Sequence, residues 1–163
     1  MSKIIAKGGH VIDDNDAVKS IDLVKFIVEY SHDVLTKIYG KDIKIDCKGN
    51  ISDSFIIKLK PLSFIMILDN IIGNAIKAHS TTLDIIIDDS LSNCFRLIFK
   101  DNGDGIDKSI TDLEHLFDFG YTTTNGSGLG LYYAKKQMRL FNGSIAIIRN
   151  TDSGVSVILC WTK

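Results

Sequence analysis

The chain is short of several residue types, and each shortage removes a class of protein. There are three cysteines, Cys47, Cys94 and Cys160, with no C-x-x-C spacing, so a disulfide scaffold is excluded and the thiols read as reduced packing residues of a cytoplasmic chain. No apolar run approaches the roughly 18 residues that cross a bilayer, and the start MSKIIAKGGH lacks the apolar core of a signal peptide. Neither sign of charge is in surplus. Nineteen Lys and Arg stand against 20 Asp and Glu, net −1, which leaves no basic excess to hold a nucleic-acid backbone and no acidic tail. The four histidines, His10, His32, His79 and His115, have no metal-ligand spacing. Proline occurs once, at Pro61, and glycine has no strict period; with 45% hydrophobic residues this excludes collagen and disorder alike.

What remains is one domain of 163 residues, long enough to bury about 70% of its unfolded surface. Its glycines are unevenly spread. Six of the 13 (Gly103, Gly105, Gly120, Gly126, Gly128, Gly130) fall within 28 residues.

The hydrophobic spacing of Ile21, Val24, Ile27, Val28, Leu35 and Ile38 predicts an amphipathic helix over 21–39. Strands at about 43–47 and 55–60 follow, then a helix from Pro61 to about Ala78. A strand pair is predicted at 83–88 and 94–100, a helix at about 129–141, and two last strands at 144–149 and 154–161. The stretch 101–128 is too long for a mere connection and reads as a functional loop or lid. The expected fold class is α/β, one mixed sheet with helices on one face. Residues 1–20 read as an N-terminal extension, flexible or a lead-in from upstream helices, and 21–163 as the domain.

Three segments carry candidate chemistry. In the helix beginning at Pro61, Leu62, Ile65, Met66, Leu68, Ile72 and Ala75 are assigned to the buried face, while Asn70, Asn74 and Lys77 recur at i, i+4 and i+7 in one polar stripe. Two asparagines inside a helix cost about 0.5 kcal/mol each against alanine. Such violations concentrate at functional sites, although a solvated polar face would also tolerate them. An asparagine oxygen suits Mg²⁺, which shares its shell with waters and substrate phosphates, and a lysine one turn on can meet those phosphates.

The second segment, Asp101-Asn102-Gly103-Asp104-Gly105-Ile106, follows a strand. A carboxylate at a strand end can accept from the N6 amine of adenine, where guanine offers a carbonyl, and the glycines let backbone approach a base. N-G and D-G are also the commonest turn dipeptides, so a plain turn stays open. Read as a calcium loop the segment fails, because Gly103 replaces the third-position carboxylate and Asp112 the twelfth-position Glu. The third segment, Gly126-Ser127-Gly128-Leu129-Gly130-Leu131, runs into a helix whose free N–H groups can hold an anion. It is neither a Walker A loop nor a Rossmann fingerprint. A flexible helix cap is its plain alternative.

In this order and spacing, LDNIIGNAIKA (68–78), DNGDGI (101–106), LFDFGYTT (116–123) and GSGLGL (126–131) resemble the N, G1, F and G2 boxes of the ATP-binding domain of histidine kinases, type II topoisomerases, Hsp90 and MutL, the GHKL superfamily. The resemblance extends from about residue 21 to the end. It implies a Bergerat fold, a two-layer α/β sandwich with a mobile ATP lid, binding ATP and Mg²⁺. Carried over by position, it makes Asn74 the Mg²⁺ ligand, Asn70 its partner toward the phosphates, Lys77 a phosphate contact and Asp101 the adenine reader. Asn70 and Lys77 become the catalytic candidates. Gly103, Gly105 and Ile106 shape the base pocket; Thr122, Thr123, Gly126, Ser127, Gly128, Leu129, Gly130 and Leu131 serve the triphosphate and lid hinge; Phe117 and Phe119 anchor the lid. Hydrolysing members carry a glutamate four residues before the metal-binding asparagine. Asn70 in that place points to a kinase, as do the GSGLGL form and the following Tyr132-Tyr133-Ala134-Lys135-Lys136.

Two departures stand out. Between Lys108 and Lys135 there is no Lys or Arg, although many members carry a lid cation, and the family's Gly-Thr pair near the C-terminus is here Gly154-Val155, with Ser156 next. His32, in Ser31-His32-Asp33, mimics a phosphoacceptor box, but it precedes Asn70 by only 38 residues, too few for a helical hairpin plus the first elements of an ATP domain. The resemblance therefore implies the catalytic half of a sensor histidine kinase. Its expected partners are a separate dimerisation and phosphotransfer domain bearing the acceptor histidine, and a response regulator, with no nucleic acid and no membrane contact; the isolated domain is expected to be monomeric and cytoplasmic, as a soluble protein or as the cytoplasmic part of a membrane-bound sensor. A stand-alone serine kinase of the anti-sigma-factor type and a nucleotide-sensing module are the alternatives.

Overall fold

A computed structural model describes residues 16–122 and 127–163, together with the backbone of two paired segments, β1 (Ile4–Ile5) and β2 (Val11–Ile12). The strand β3 (Lys19–Asp22) leads directly into helix α1 (Leu23–Tyr30). Asp22 makes that junction. Its Oδ1 accepts from Val24 N at 3.1 Å and Lys25 N at 3.3 Å, an N-cap, and its Oδ2 from Ser54 Oγ at 2.7 Å. Ile21, expected on the helix, is thus in a strand, and the helix begins two residues later.

The helix continues through a π-helical turn, Ser31–Leu35, into α2 (Thr36–Tyr39). The Ser31 carbonyl accepts both the Thr36 N–H across the wider turn and Thr36 Oγ1 at 2.8 Å. Strands β4 (Lys44–Gly49) and β5 (Ile56–Leu59) follow, then α3 (Pro61–Lys77), β6 (Thr82–Asp88), β7 (Cys94–Asp101), a 3₁₀ turn (Leu113–Phe117), α4 (Gly130–Leu140), β8 (Gly143–Arg149) and β9 (Val155–Thr162).

Five strands form one mixed sheet in the order β4-β6-β7-β9-β8, with only the β4–β6 pair parallel. β3 and β5 pair antiparallel in a sheet of their own. Strict alternation on β6, β7 and β9 sends Leu83, Ile85, Ile87, Phe95, Leu97, Phe99, Val157, Leu159 and Trp161 to one buried face, where they meet Leu23, Ile27, Phe64, Ile67 and Ile72 of the helices. Phe55 stacks on Phe95 with centroids 4.3 Å apart, and Trp161 lies 6.3 Å from Phe64, joining the layers. The other face carries Arg96 paired with Asp88, and Lys48 paired with Asp84. All three cysteines are free thiols.

The α/β sandwich expected from the sequence is the observed fold. Inside α3 the buried set differs from expectation. Phe64, Ile67 and Ile71 are buried with Leu68, Ile72 and Ala75, whereas Met66 is exposed and Leu62 and Ile65 are half-buried. The helix is apolar on several sides, so periodicity alone leaves its rotation loosely set. Ser63 is buried because Asp16, from the segment ahead of β3, accepts from its hydroxyl at 2.7 Å and from Leu62 N at 3.0 Å. Asp16, Lys19 and Ser20, assigned by sequence to an extension, all contact the domain, the last two pairing with Leu59 and Lys58. Among the described residues no helix is long and apolar enough to cross a membrane.

Candidate functional site

A cavity of about 480 Å³ lies between α3, the loop after β7 and the start of α4, within the range of small-molecule sites. Asn70, Asn74 and Lys77 all line it. The stripe that offends helix propensity therefore faces open volume, with Asn74 and Lys77 exposed and Asn70 half-buried. Gly130, the first residue of α4, comes so close that a Cβ there would stand 2.9 Å from Asn70 Oδ1. That contact sets the two helices around the cavity.

Across from the stripe, Asp101 is 5% exposed and lines the cavity. Its Oδ1 accepts from Gly103 N at 2.9 Å, Ser80 Oγ at 3.1 Å and Val155 N at 3.3 Å. Among the described residues no donor meets Oδ2, which leaves one acceptor of a rigidly held carboxylate for a ligand. Gly103 does not line the cavity; a Cβ there would sit 2.4 Å from both the Ala78 carbonyl and Ser80 Oγ, so the absent side chain lets β7 close onto the end of α3. Gly154 is under double constraint, with φ +76° and a Cβ position 2.3 Å from the Asp101 carbonyl. Gly105 and Ile106 line the cavity. Val155 contributes its side chain to the wall, while Ser156 turns away and donates to Asn150 Oδ1 at 2.7 Å.

Asp107, Leu116, Tyr121 and Thr122, with Ser127 and Gly128 ahead of α4, form the remaining side. Leu116 lines the cavity, but Phe117 is buried behind it with Lys135 Nζ 4.9 Å from its ring centroid, and Lys135 also pairs with Glu114 at 2.5 Å. Phe117 is thus a packing anchor beneath the wall, outside the cavity. Phe119 is 75% exposed and meets Tyr132 edge-on at 5.2 Å. His115 is held by Asp118 at 2.8 Å and lies 3.8 Å from Asp112; the Asp118 hydrogen bond first, then the field of Asp112, raises its pKa. Thr122, Ser127, Gly128, Gly130 and Leu131 line the cavity, and Leu129 is exposed beside it. Thr123 and Gly126 lie outside the described residues. Leu129 at the N-cap of α4 makes no side-chain hydrogen bond to the first turn, and among the described residues those N–H groups are open to an anion.

Several lining residues escaped the sequence reading: His79, Asp104, Asp107, Tyr121 and Val155. His79 Nδ1 lies 2.6 Å from Asp104 Oδ2, with His79 at φ +58° just past the end of α3. A polar residue one step beyond a helix end was the available signal, since such positions adopt left-handed backbone. Among the described residues the cavity's only basic side chains are Lys77 and His79.

Set on a mixed sheet backed by helices, this arrangement is that of an α/β ATP-binding sandwich. Residues 59–163 match the family described as histidine kinase-, DNA gyrase B-, and HSP90-like ATPase, and the chain belongs to that family. Among curated proteins it is 36% identical over 107 residues to the sensor histidine kinase YvrG of Bacillus subtilis, covering 61% of this chain and 18% of that protein. With the sensor protein EvgS of Escherichia coli O157:H7 it shares 24% over 148 residues, 83% of this chain and 12% of the other. The chain spans less than a fifth of the length of these relatives. Among solved structures it superposes on the catalytic domain of histidine kinase ThkA with a TM-score of 0.71 at 21% identity, covering 90% of this chain and 98% of that one. The ATP-binding domain of PrrB from Mycobacterium tuberculosis gives 0.70 at 21%, covering 91% and 98%. The fold is that of histidine kinase catalytic domains.

Proposed function

We propose that the chain is the catalytic domain of a two-component sensor histidine kinase. It binds Mg-ATP and donates the γ-phosphate to a histidine on a separate dimerisation domain, for relay to a response regulator on the cytoplasmic side. The observation that carries this reading is the facing of an Asn70, Asn74 and Lys77 stripe by a buried carboxylate, Asp101, across one cavity. The names of YvrG and its fellow sensor kinases favour histidine over serine as the acceptor.

The donor set suits Mg²⁺. Among the described residues there is no cluster of three His, Cys, Asp or Glu that would cage a metal, and a magnesium ion sharing its shell with phosphates needs only a ligand such as Asn74 Oδ1. When bound, Mg-ATP supplies the transferable phosphoryl group and the metal charge that offsets its oxygens. The chain's own residues position it. Asp101 Oδ2 accepts from the adenine amine, the α4 N–H groups and Lys77 hold phosphate oxygens, and Asn70 stands against the start of α4 at Gly130. Asn70 also explains transfer without hydrolysis, because a neutral amide cannot take a proton from water as a carboxylate can. The exposed Phe119 and Tyr132 pair beside the mouth gives an acceptor-bearing helical domain an apolar place to seat.

Incubation with labelled ATP and a helical hairpin bearing an acceptor histidine tests the proposal. Acid-labile label on the hairpin is expected, and Asn74→Ala should abolish Mg²⁺-dependent binding and transfer together. Acid-stable label on a partner, or tight Mg-ATP binding with no transfer to any acceptor, would overturn it.

A further inference from the structure

Arg149 closes β8, and its side chain leaves the sheet to meet the loop that runs from the base pocket into the lid. Nε donates to the Ile106 carbonyl at 3.4 Å, and Nη2 donates to the carbonyls of Asp107 at 2.9 Å and Ile110 at 2.5 Å. One guanidinium thus gathers three carbonyls of a five-residue stretch that has no regular secondary structure. The next residue holds the same loop at its other end. Asn150 Nδ2 donates to the Asp101 carbonyl at 2.9 Å and the Ser153 carbonyl at 3.0 Å, and its Oδ1 is fixed by Ser156. Two consecutive residues therefore grip the 101–110 loop at its beginning and its end.

This matters for the cavity because Ile106 and Asp107 are part of its wall, and Gly105 just before them adopts φ +79°, a conformation that supplies no stiffness of its own. The loop's own internal support is slight: Ser109 N donates to Asp107 Oδ1 at 2.8 Å and Ile110 N to the Asp107 carbonyl at 3.1 Å. Fixing the wall against the sheet requires a donor from outside the loop, and Arg149 is placed to be that donor.

We propose that Arg149 is a positioning residue for nucleotide binding, fastening the 106–110 root of the lid to β8 so that Ile106 keeps its place against the base and the lid moves from a fixed point. The inference rests on the nucleotide reading of the cavity. A planar guanidinium donates to these carbonyls from two nitrogens held apart in a fixed fork, whereas the three N–H groups of a lysine ammonium all leave one atom. The role is one of geometry rather than net charge.

The test compares the unmutated chain with Arg149→Met, which keeps the aliphatic stem, and Arg149→Lys, which keeps the charge. Arg149→Met is expected to weaken Mg-ATP binding about five- to tenfold by calorimetry, with lysine restoring less than half of that loss. Because Arg149 is an exposed side chain, the melting temperature should move by no more than about 2 °C. Amide exchange should accelerate within 106–111, and in phosphotransfer KM should rise with kcat unchanged. Unchanged affinity in Arg149→Met would overturn the inference, as would an affinity that follows the melting temperature and returns fully with lysine. If the unmutated chain binds no Mg-ATP, the nucleotide reading itself fails and the inference falls with it.

Discussion

Asp16→Ala tests whether the segment ahead of β3 belongs to the working domain. The helix that carries Asn70, Asn74 and Lys77 begins at Pro61 with no cap of its own, because Lys60 occupies the N-cap position in extended backbone and makes no side-chain hydrogen bond there. Asp16 supplies the missing acceptor from 46 residues away, taking Leu62 N at 3.0 Å and the hydroxyl of Ser63 at 2.7 Å. Losing an N-cap acceptor costs about 0.5–2 kcal/mol. Leaving the buried Ser63 hydroxyl without its partner adds about 1 kcal/mol, and freeing the 16–18 backbone returns some entropy. The net is about 2 kcal/mol, or roughly 4–8 °C in Tm for a chain of this size. Thermal unfolding followed by circular dichroism measures it directly. Asp16→Asn keeps a neutral acceptor and should lose about half as much. Lys60→Asp in the Asp16→Ala background places a cap in sequence and should recover about 1 kcal/mol. A Tm unmoved by Asp16→Ala, or a Lys60→Asp change equally stabilising with and without Asp16, would refute the reasoning, since a cap can be supplied only once.

Three other outcomes follow from the site and its surroundings. Asp101→Asn must keep its oxygen on Ser80, Gly103 and Val155 and so presents an amine to the cavity; ATP affinity should fall about 10–100-fold and the preference over GTP disappear in a competition titration. Gly130→Ala puts a methyl 2.9 Å from Asn70 Oδ1, a flexible group that can move aside; melting should change by under about 2 °C while Mg-ATP affinity drops about tenfold. Acid should destabilise the fold in a defined direction. The Ser54 hydroxyl holds Asp22 below the usual carboxylate pKa and the Ser90 hydroxyl does the same for Asp88, so their contribution is complete above the unfolded value near 3.9 and is lost as pH falls through the lowered folded values. Asp22→Asn should flatten the acid limb of a Tm-against-pH curve.

Local chemistry explains which features could be read in advance. Alternation on β6, β7 and β9 and the turn residues between them define the sheet, because one face of each strand is buried and the register is then strongly specified. The Asn70, Asn74 and Lys77 stripe was visible because it violates helix propensity where nothing structural demands it. Asp101 drew notice as a carboxylate at a strand end ahead of two glycines, although a plain turn uses the same residues. Asp16, Arg149 and Asn150 were not visible. Each acts on backbone atoms of a distant segment, 39 to 49 residues away for Arg149 and Asn150, and a carbonyl or N–H looks the same whatever the sequence around it. No residue pattern announces such a partner.

The same distinction bears on the lid. Its lack of Lys and Arg between Lys108 and Lys135 was plain in the sequence, and taken alone it suggested a lid poorly equipped for phosphate. The structure gives that absence a different setting. Lys77 brings positive charge from the end of α3, the start of α4 brings N–H groups that Leu129 at the N-cap leaves without a side-chain bond, and Arg149 holds the carbonyls of Asp107 and Ile110 at the lid's root. Among the described residues the cavity's one Lys or Arg side chain, Lys77, thus sits on a helix packed on the sheet. A lid without its own cation has less to gain from closing on a triphosphate, so nucleotide binding should depend more on the fixed walls than on closure. Introducing a cation into the 109–134 sequence that lacks one, Thr124→Lys, separates the two contributions. It should tighten Mg-ATP severalfold, on the order of 0.5–1 kcal/mol for an exposed ionic contact, and more in 50 mM than in 200 mM salt. A gain of a hundredfold would show that the lid rather than the walls governs binding.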